Sequence, residues 1–356
     1  MRKSWILVLA LAFAAPAVAN EIGQIKVAKG AVQVEREGKR VPAAVGMPIR
    51  TADVLVTGAD GSAGVTFSDN SLVSVGPNSV FAIDKYRFDS TTHVGEFEGS
   101  LKKGKLAAVS GKMVKQSPES MKIRTPSSVM AVRGTELSCR STSRPSPPPA
   151  NPRQPMRLAA AAALLLAAAG CAHSPPRNTG PELFAVIPGN GGHVGSIVVR
   201  AEGPEQVLDQ AYSAARVNAD GSAQAARLSA EEVQRDFGGT ISALPGRPTS
   251  FTLYFLEGRD ELTPASRLEM EKVFAELKRR PAPDIVVIGH TDTVGNLNYN
   301  DKLSLARAER MRELMIGLGI PPGRIQAAGR GKRELLVQTE DNTSEPRNRR
   351  VEISVR

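Results

Sequence analysis

Two cysteines, one tryptophan and four histidines are all that the 356 residues contain, and aromatic residues make up 4% of the chain. Cys139 and Cys171 allow one disulfide at most, and neither lies in a patterned stretch, so a disulfide scaffold is excluded. Zinc-ligand spacing is absent, as are an aromatic-rich RNA-binding signature and a basic recognition helix. No apolar run reaches the about 20 residues that cross a hydrocarbon core. No cofactor motif occurs, and no cofactor or metal is expected. The net charge of +10 suits an anionic partner such as lipid headgroups, cell-wall polymer or nucleic acid. Part of that charge sits in leader-like and linker segments, so nucleic acid is discounted. What is abundant is turn chemistry: 32 glycines and 25 prolines favour short strands and linkers over one large core. The length allows two or more domains.

The chain opens with "MRKSWILVLALAFAAPAVAN": a positive Arg2-Lys3, an apolar run from Trp5 to Pro16 and a small-x-small site at Ala17-Val18-Ala19. A core helix would alternate with polar residues; this tripartite pattern reads as a secretory signal over 1–19. A second such pattern lies mid-chain. Met156-Arg157 precedes an apolar run from Leu158 to Ala169, then Gly170-Cys171 and "AHSPPRNTGP". Residues 156–171 read as a lipoprotein-type signal, with Cys171 the residue to be acylated and inserted in membrane lipid. Ala168 stands where such signals more often have Leu. Before it, 138–155 is Ser, Pro and Arg with almost nothing apolar, and reads as a disordered linker. Two exported proteins joined in one frame, by gene fusion or by a frameshift, account for both signals.

Residues 20–137 read as all-β. "VTGADGSAGVTFSDNSLVSVGPNSVFAID" sets short apolar runs between Asp60-Gly61, Asp69-Asn70 and Gly76-Pro77-Asn78, all turn formers. Val65 and Phe67 point one way and Thr66 and Ser68 the other, as in a half-buried strand. "GQIKVAKGAVQVEREGKRVPAAVGMPI" gives further strands broken at Gly30 and Gly38. Arg133 and Glu136 read as a surface salt bridge or strand-end pair. "MPIRTADVLVTGADGSAGVTFSDNSLVSVGPNSV" and "IRTPSSVMAVRGTEL" resemble the FecR domain, in its best-known members the periplasmic part of a membrane-spanning iron-citrate signal transducer. Nothing resembles the cytoplasmic sigma-regulating segment of those proteins. The resemblance therefore implies a periplasmic binding or scaffold module, with envelope signalling as the alternative. The strand that the family continues stops after Leu137.

In 172–248, "ELFAVIP", "HVGSIVVRA" and "VLDQAYSAARV" read as strands. "SAEEVQRDFGGTISAL" reads as a helix capped by Ser229, with Glu231 and Glu232 in its first turn. His193, beside glycines, reads as a loop residue. The region is set apart as a small β-rich unit with one helix.

Residues 249–356 carry the candidate chemistry. "FTLYFLEG" is a strand; Thr263 caps a helix with Pro264 at its first position, striped by Leu262, Met270, Val273, Phe274 and Leu277. "DIVVIGHT" is a continuous apolar strand, expected when both faces are covered. A second helix runs from about Tyr299 to Leu318, followed by the strands "RIQAAG" and "RRVEISVR", the last with Val351, Ile353 and Val355 inward. This is an α+β sandwich, one sheet against two helices, in the order βαβαββ. Leu303, Ala306, Met311, Leu314, Met315 and Leu318 make one face of the second helix, with Arg307 near its middle and Asn300 two turns earlier. An inward guanidinium requires a carboxylate or an anionic ligand. Asp292, at the end of the preceding strand, is the nearest candidate, and on spacing alone the pair reads equally well as a structural salt bridge or as a ligand site.

"GHTDTVGNLNYNDKLSLARAERMRELMIGLGI", "GRGKRELL" and "NRRVEI" resemble the C-terminal domain of the outer-membrane protein A family, which includes peptidoglycan-associated lipoproteins. Gly289, Thr291, Asp292, Gly295, Asn300, Leu303, Ser304, Arg307, Ala308, Asn348, Arg349 and Arg350 fall on its pattern. "TSEPRNRR" departs from it in lacking the usual Gly-Arg. The resemblance implies that Asp292 and Arg307, with Asn300 and Thr291, bind the diaminopimelate of the peptidoglycan stem peptide: Asp takes its ammonium, Arg's planar fork its carboxylate. The chain is thus expected to be multidomain and not an enzyme. Its expected place is the outer membrane of a Gram-negative-type envelope, tethered through Cys171 and facing the periplasm. A cell-wall hydrolase is the rival of another class; among His93, His173, His193 and His290, only His290, two residues from Asp292, could contribute a metal pair, and no third ligand accompanies it.

Overall fold

The computed structural model describes residues 21–134, 136–141, 181–189, 192–256 and 261–356. The first signal, the acylation site Cys171 and all of the linker beyond Ser141 lie outside the described residues.

Turn residues divide the N-terminal part into β1 (Glu21–Lys29), β2 (Val32–Arg36), β3 (Lys39–Pro42), β4 (Pro48–Arg50), β5 (Val54–Thr57), β6 (Ser62–Phe67), β7 (Leu72–Val75), β8 (Val80–Phe88) and β9 (Gly95–Val109). After helix α1 (Lys112–Gln116) come β10 (Met121–Arg124), β11 (Val129–Arg133) and β12 (Glu136–Ser141). The next described stretch adds β13 (Glu182–Ile187), β14 (Ser196–Arg200), β15 (Gln206–Leu208), β16 (Ser213–Val217), β17 (Ala223–Arg227) and helix α2 (Ala230–Ile241).

These strands form two ladders joined through β9. One runs β3-β2-β5-β8-β9-β10-β11-β14-β15. The other runs β4-β1-β6-β7-β9-β12-β13-β16-β17. Strand β9 changes ladder at Gly104, whose φ of +97° favours glycine and whose missing Cβ leaves room for Ser79. Both ladders share one core, including Ile25, Phe67, Phe81, Phe97, Leu106, Phe184, Val186, Ile197 and Val199. Phe67, Tyr86 and Phe97 pack ring on ring, with centroids 4.7–5.7 Å apart.

Four readings of the sequence change here. Residues 182–247 are not a separate unit: β13 extends β12, β14 extends β11, and α2 lies against β7 and β9. Strand β6 is covered on both faces, so Thr66 is as buried as its neighbours; beside it Ser74 Oγ donates to the Thr240 carbonyl at 2.6 Å. The linker begins later than 138, because Leu137 and Cys139 turn into the core and carry β12 to Ser141. Arg133 and Glu136 also part company, Arg133 bonding Glu119 and Glu136 bonding Arg247.

The C-terminal part comprises β18 (Thr249–Leu253), α3 (Pro264–Arg279), β19 (Ile285–Gly289), α4 (Leu297–Gly317), β20 (Ile325–Gly329) and β21 (Val351–Val355). The strand order is β18-β21-β19-β20, with only β19 and β20 parallel. Thr263 caps α3 by accepting from Ser266 N, with Pro264 following. Ile285 and Val287 join Val273, Met311 and Met315 between sheet and helices. Val286 and Ile288 point to the other face, also buried, where a cavity of about 340 Å³ separates them from Phe88, His93 and Lys112 of the β-domain. Both faces of "DIVVIGHT" are therefore covered. Polar clamps cross the same boundary. Asp284 is bonded by Lys26 at 2.5 Å and by Arg356 Nε at 2.9 Å, and Arg330 donates to the Thr91 carbonyl at 2.5 Å.

Candidate functional site

Two glycines set the position of α4. A Cβ on Gly289 would lie 2.8 Å from the Ser304 carbonyl carbon and overlap its oxygen; one on Gly329 would meet Ser304 Oγ at 2.6 Å. The helix rests almost backbone to backbone on β19 and β20, and its buried residues are Asn300, Ser304, Ala308, Met311 and Met315. That face differs from the one read from periodicity. Met311 and Met315 belong to both, but Ala306 and Leu318 are exposed, and Ser304 rather than a large apolar residue fills the close approach to the two glycines. Arg307 consequently sits half-buried at the rim of the face rather than at its centre.

The loop after β19 is fixed from below. Thr293 Oγ1 donates to the Glu340 carbonyl at 2.6 Å and accepts from Thr343 N at 3.0 Å, tying it to the 339–343 loop. Asn300 Nδ2 donates to the carbonyls of Val294, Gly295 and Asn296 at 2.9–3.3 Å. Asn348, 0% exposed, pairs both ways with the Val337 backbone at 2.8 and 2.9 Å. Asn300 and Thr291 are each 1% exposed. The structure thus places Asn300 as a brace beneath the loop. Thr291 is buried too, its hydroxyl without a partner, and only its backbone N–H reaches across, to the Gly331 carbonyl at 3.0 Å. Neither offers its side chain to a ligand on the surface.

Asp292 and Arg307 are near one another without forming an ion pair. Arg307 Nη1 donates to the His290 carbonyl at 3.2 Å. Burial lowers its pKa; the nearby Asp292 charge opposes this and the Arg349 charge adds to it. Asp292 Oδ2 instead accepts from Arg349 Nη1 at 2.9 Å, while Oδ1 is 3.3 Å from Val294 N. The guanidinium that completes the group is therefore Arg349, which the sequence places in the family pattern but not in the site. Among the described residues, the guanidinium groups of Arg307 and Arg349 and the carboxylate of Asp292 converge at the strand end, at a partly desolvated position.

His290 is 0% exposed and carries no hydrogen bond on either ring nitrogen. Burial foremost, then the charges of Arg350 and Arg330, push its pKa down to about 2. Among the described residues no group of three or more His, Cys, Asp or Glu side chains could hold a metal ion.

Residues 254–349 match the OmpA family, and residues 53–146 match the family described as FecR protein. Outer membrane protein A of Bordetella avium is 31% identical over 102 residues, 29% of this chain and 53% of that protein. The outer-membrane lipoprotein YfiB of Pseudomonas aeruginosa is 31% identical over 106 residues, 30% of this chain and 63% of the relative. The chain thus spans between half and two thirds of the length of these curated relatives. Among solved structures, the peptidoglycan-associated lipoprotein of Burkholderia pseudomallei is 25% identical. The likeness covers 30% of this chain and 90% of that one, at a TM-score of 0.27. These relatives place the chain in a Gram-negative cell envelope, facing the periplasm. The polypeptide carries a FecR domain followed by a C-terminal OmpA-family domain.

Proposed function

We propose that the OmpA-like domain binds peptidoglycan non-covalently through the diaminopimelate of its stem peptide, and that acylation of Cys171 ties that grip to the outer membrane. The FecR-like part serves as a periplasmic scaffold, and the chain is a binding protein rather than an enzyme. The observation that carries this reading is Arg307: a half-buried guanidinium whose hydrogen bond goes to a backbone carbonyl, beside a carboxylate already held by Arg349. Burial of such a charge without a counter-anion is unfavourable, and an incoming carboxylate relieves it. The side chain end of diaminopimelate carries a carboxylate and an ammonium on one carbon. The carboxylate fits the planar fork of Arg307, and the ammonium fits Asp292, whose Oδ1 receives only a long contact from Val294 N.

The test is a pull-down of the full chain with purified diaminopimelate-type peptidoglycan, with thermal melts on the same samples. Arg307→Ala is expected to weaken binding by about 1.5–3 kcal/mol, the range for charge-assisted hydrogen bonds. Arg307→Lys should recover little, and Asp292→Asn should weaken binding by more than the modest drop in the melt that loss of its Arg349 ion pair explains. Variants that melt early yet bind normally when folded would make these residues braces and put the ligand elsewhere.

A further inference from the structure

Two edges of the β-sandwich, one in each ladder, are completed by strands from beyond the 142–180 segment. Antiparallel pairing joins β12 to β13 from Glu136↔Ile187 to Arg140↔Leu183, and β11 to β14 from Val129↔Arg200 to Arg133↔Ser196. Phe184, Val186, Ile197 and Val199 are all 0% exposed and lie in the same core as Phe67 and Phe97. At the head of β13, Glu182 is 0% exposed, and its acceptors are met from across the join. Thr125 Oγ1 donates at 2.6 Å, Ser128 Oγ at 2.8 Å, Ser127 N at 3.2 Å and Ser141 Oγ at 3.3 Å. Ion pairs continue the seam outward: Arg200 Nη2 reaches Glu119 at 3.1 Å, and Arg247 bonds Glu136.

Without residues 181–227, β11 and β12 would be open edges ending a core, a state prone to wrong pairing. Without residues 21–141, the apolar face of β13 and β14 would be bare. Each part supplies what the other lacks, and a buried carboxylate with four donors gives the pairing a fixed register. Meanwhile the sequence between the parts contains a complete lipoprotein-type signal ending at Cys171.

We infer that residues 21–141 and the chain from 181 onward recognise each other as two pieces of one sandwich, so that they remain assembled when the backbone between 142 and 180 is cut. The partner of the FecR-like segment is the β13–β14 edge of the lipoprotein-like segment, docked by strand addition. A FecR-like piece released from the covalent chain stays with the membrane-anchored piece and needs no anchor of its own. This inference is independent of what the OmpA-like domain binds.

The test uses the full chain with Cys171→Ser and a specific protease site introduced between 142 and 180, folded first and cut afterwards. Size-exclusion chromatography with mass detection should show both fragments travelling as one species of the uncut mass. Cys139, paired opposite Phe184, should remain closed to a thiol reagent. Two separate species, or a Cys139 that reacts as soon as the chain is cut, would overturn the inference. Glu182→Gln should leave the uncut chain folded by circular dichroism. In the cut complex it should raise the dissociation constant roughly tenfold or more, as losing buried charge-assisted hydrogen bonds does. A cut Glu182→Gln complex as tight as the cut parent would also count against it.

Discussion

Gly289→Ala tests how the site is held, because a single methyl separates two outcomes. A Cβ at this position would stand 2.8 Å from the Ser304 carbonyl carbon and closer still to its oxygen, where ordinary carbon contacts lie at about 3.5–4.0 Å. Helix α4 must therefore retreat from β19 by about 1 Å, and the neighbour it meets is backbone, which cannot rotate away. Overpacking of this kind costs about 1–3 kcal/mol, and the rigid backbone places the expected loss toward the upper end. Gly317 is the internal control. It ends the same helix, is exposed, and has nothing within 4 Å of its would-be Cβ, so Gly317→Ala should stabilise by a few tenths to about 1 kcal/mol. Urea unfolding of both variants, with slopes compared to the parent, reads the difference. The retreat also moves Arg307, so Gly289→Ala should bind peptidoglycan more weakly even where it remains folded. A Gly289→Ala chain within about 0.5 kcal/mol of the parent, the spread of unremarkable surface changes, would refute the close approach and the placement of Arg307 built on it.

Further outcomes follow from other buried groups. Burial alone would raise the Asp284 pKa, but the charges and hydrogen bonds of Arg356 and Lys26 outweigh it and hold it below the ordinary 3.8; a depressed folded pKa means stability that is full above the unfolded value and is lost as pH falls through the folded one. Acid unfolding of the parent should show this limb below about pH 4, and Asp284→Asn should remove it while lowering stability at pH 7. Tyr86→Phe takes the acceptor from Asp69 N and a donor from Asp69 Oδ1 in a fully buried cluster; thermal or urea unfolding should register a loss of about 1–3 kcal/mol. Ser229→Ala removes the hydroxyl that caps α2 in a reciprocal box with Glu232, and should cost about 1 kcal/mol in the same assay.

Local chemistry was legible from the residues themselves. The Ser229 and Thr263 caps, Pro264 at the start of α3, and the breaks at Gly30 and Gly38 are decided within four residues of chain, and the structure puts them where the residue types require. Contacts far apart in sequence were not. Cys139 looked like part of a polar linker because its neighbours are Ser and Arg, yet β9 and β13 on either side draw it into the core. "ELFAVIP" was legible as a strand, but nothing in it names β12 as the strand it joins. In α4, periodicity ranks side chains by apolar character and so found Met311 and Met315, whereas at its closest approach to the sheet the helix turns Ser304 inward; Gly289 and Gly329 were the available signal for that. Asp292 and Arg307 were read together from charge placed near an apolar face, and the structure sets them near one another. Arg349 was missed because its approach to Asp292 depends on how Asn348 folds the preceding loop.

The central claim is that Arg307 and Asp292 read the zwitterionic end of diaminopimelate. The most direct measurement is a calorimetric titration of the full chain with two soluble muropeptides, identical except that one carries diaminopimelate and the other lysine. Lysine keeps an ammonium and lacks the second carboxylate, so the account predicts binding of the first and at least about tenfold weaker binding of the second, in line with loss of a charge-assisted pair. It also predicts that Arg307→Ala erases the difference between them. Equal affinity for both muropeptides in the parent chain would contradict it.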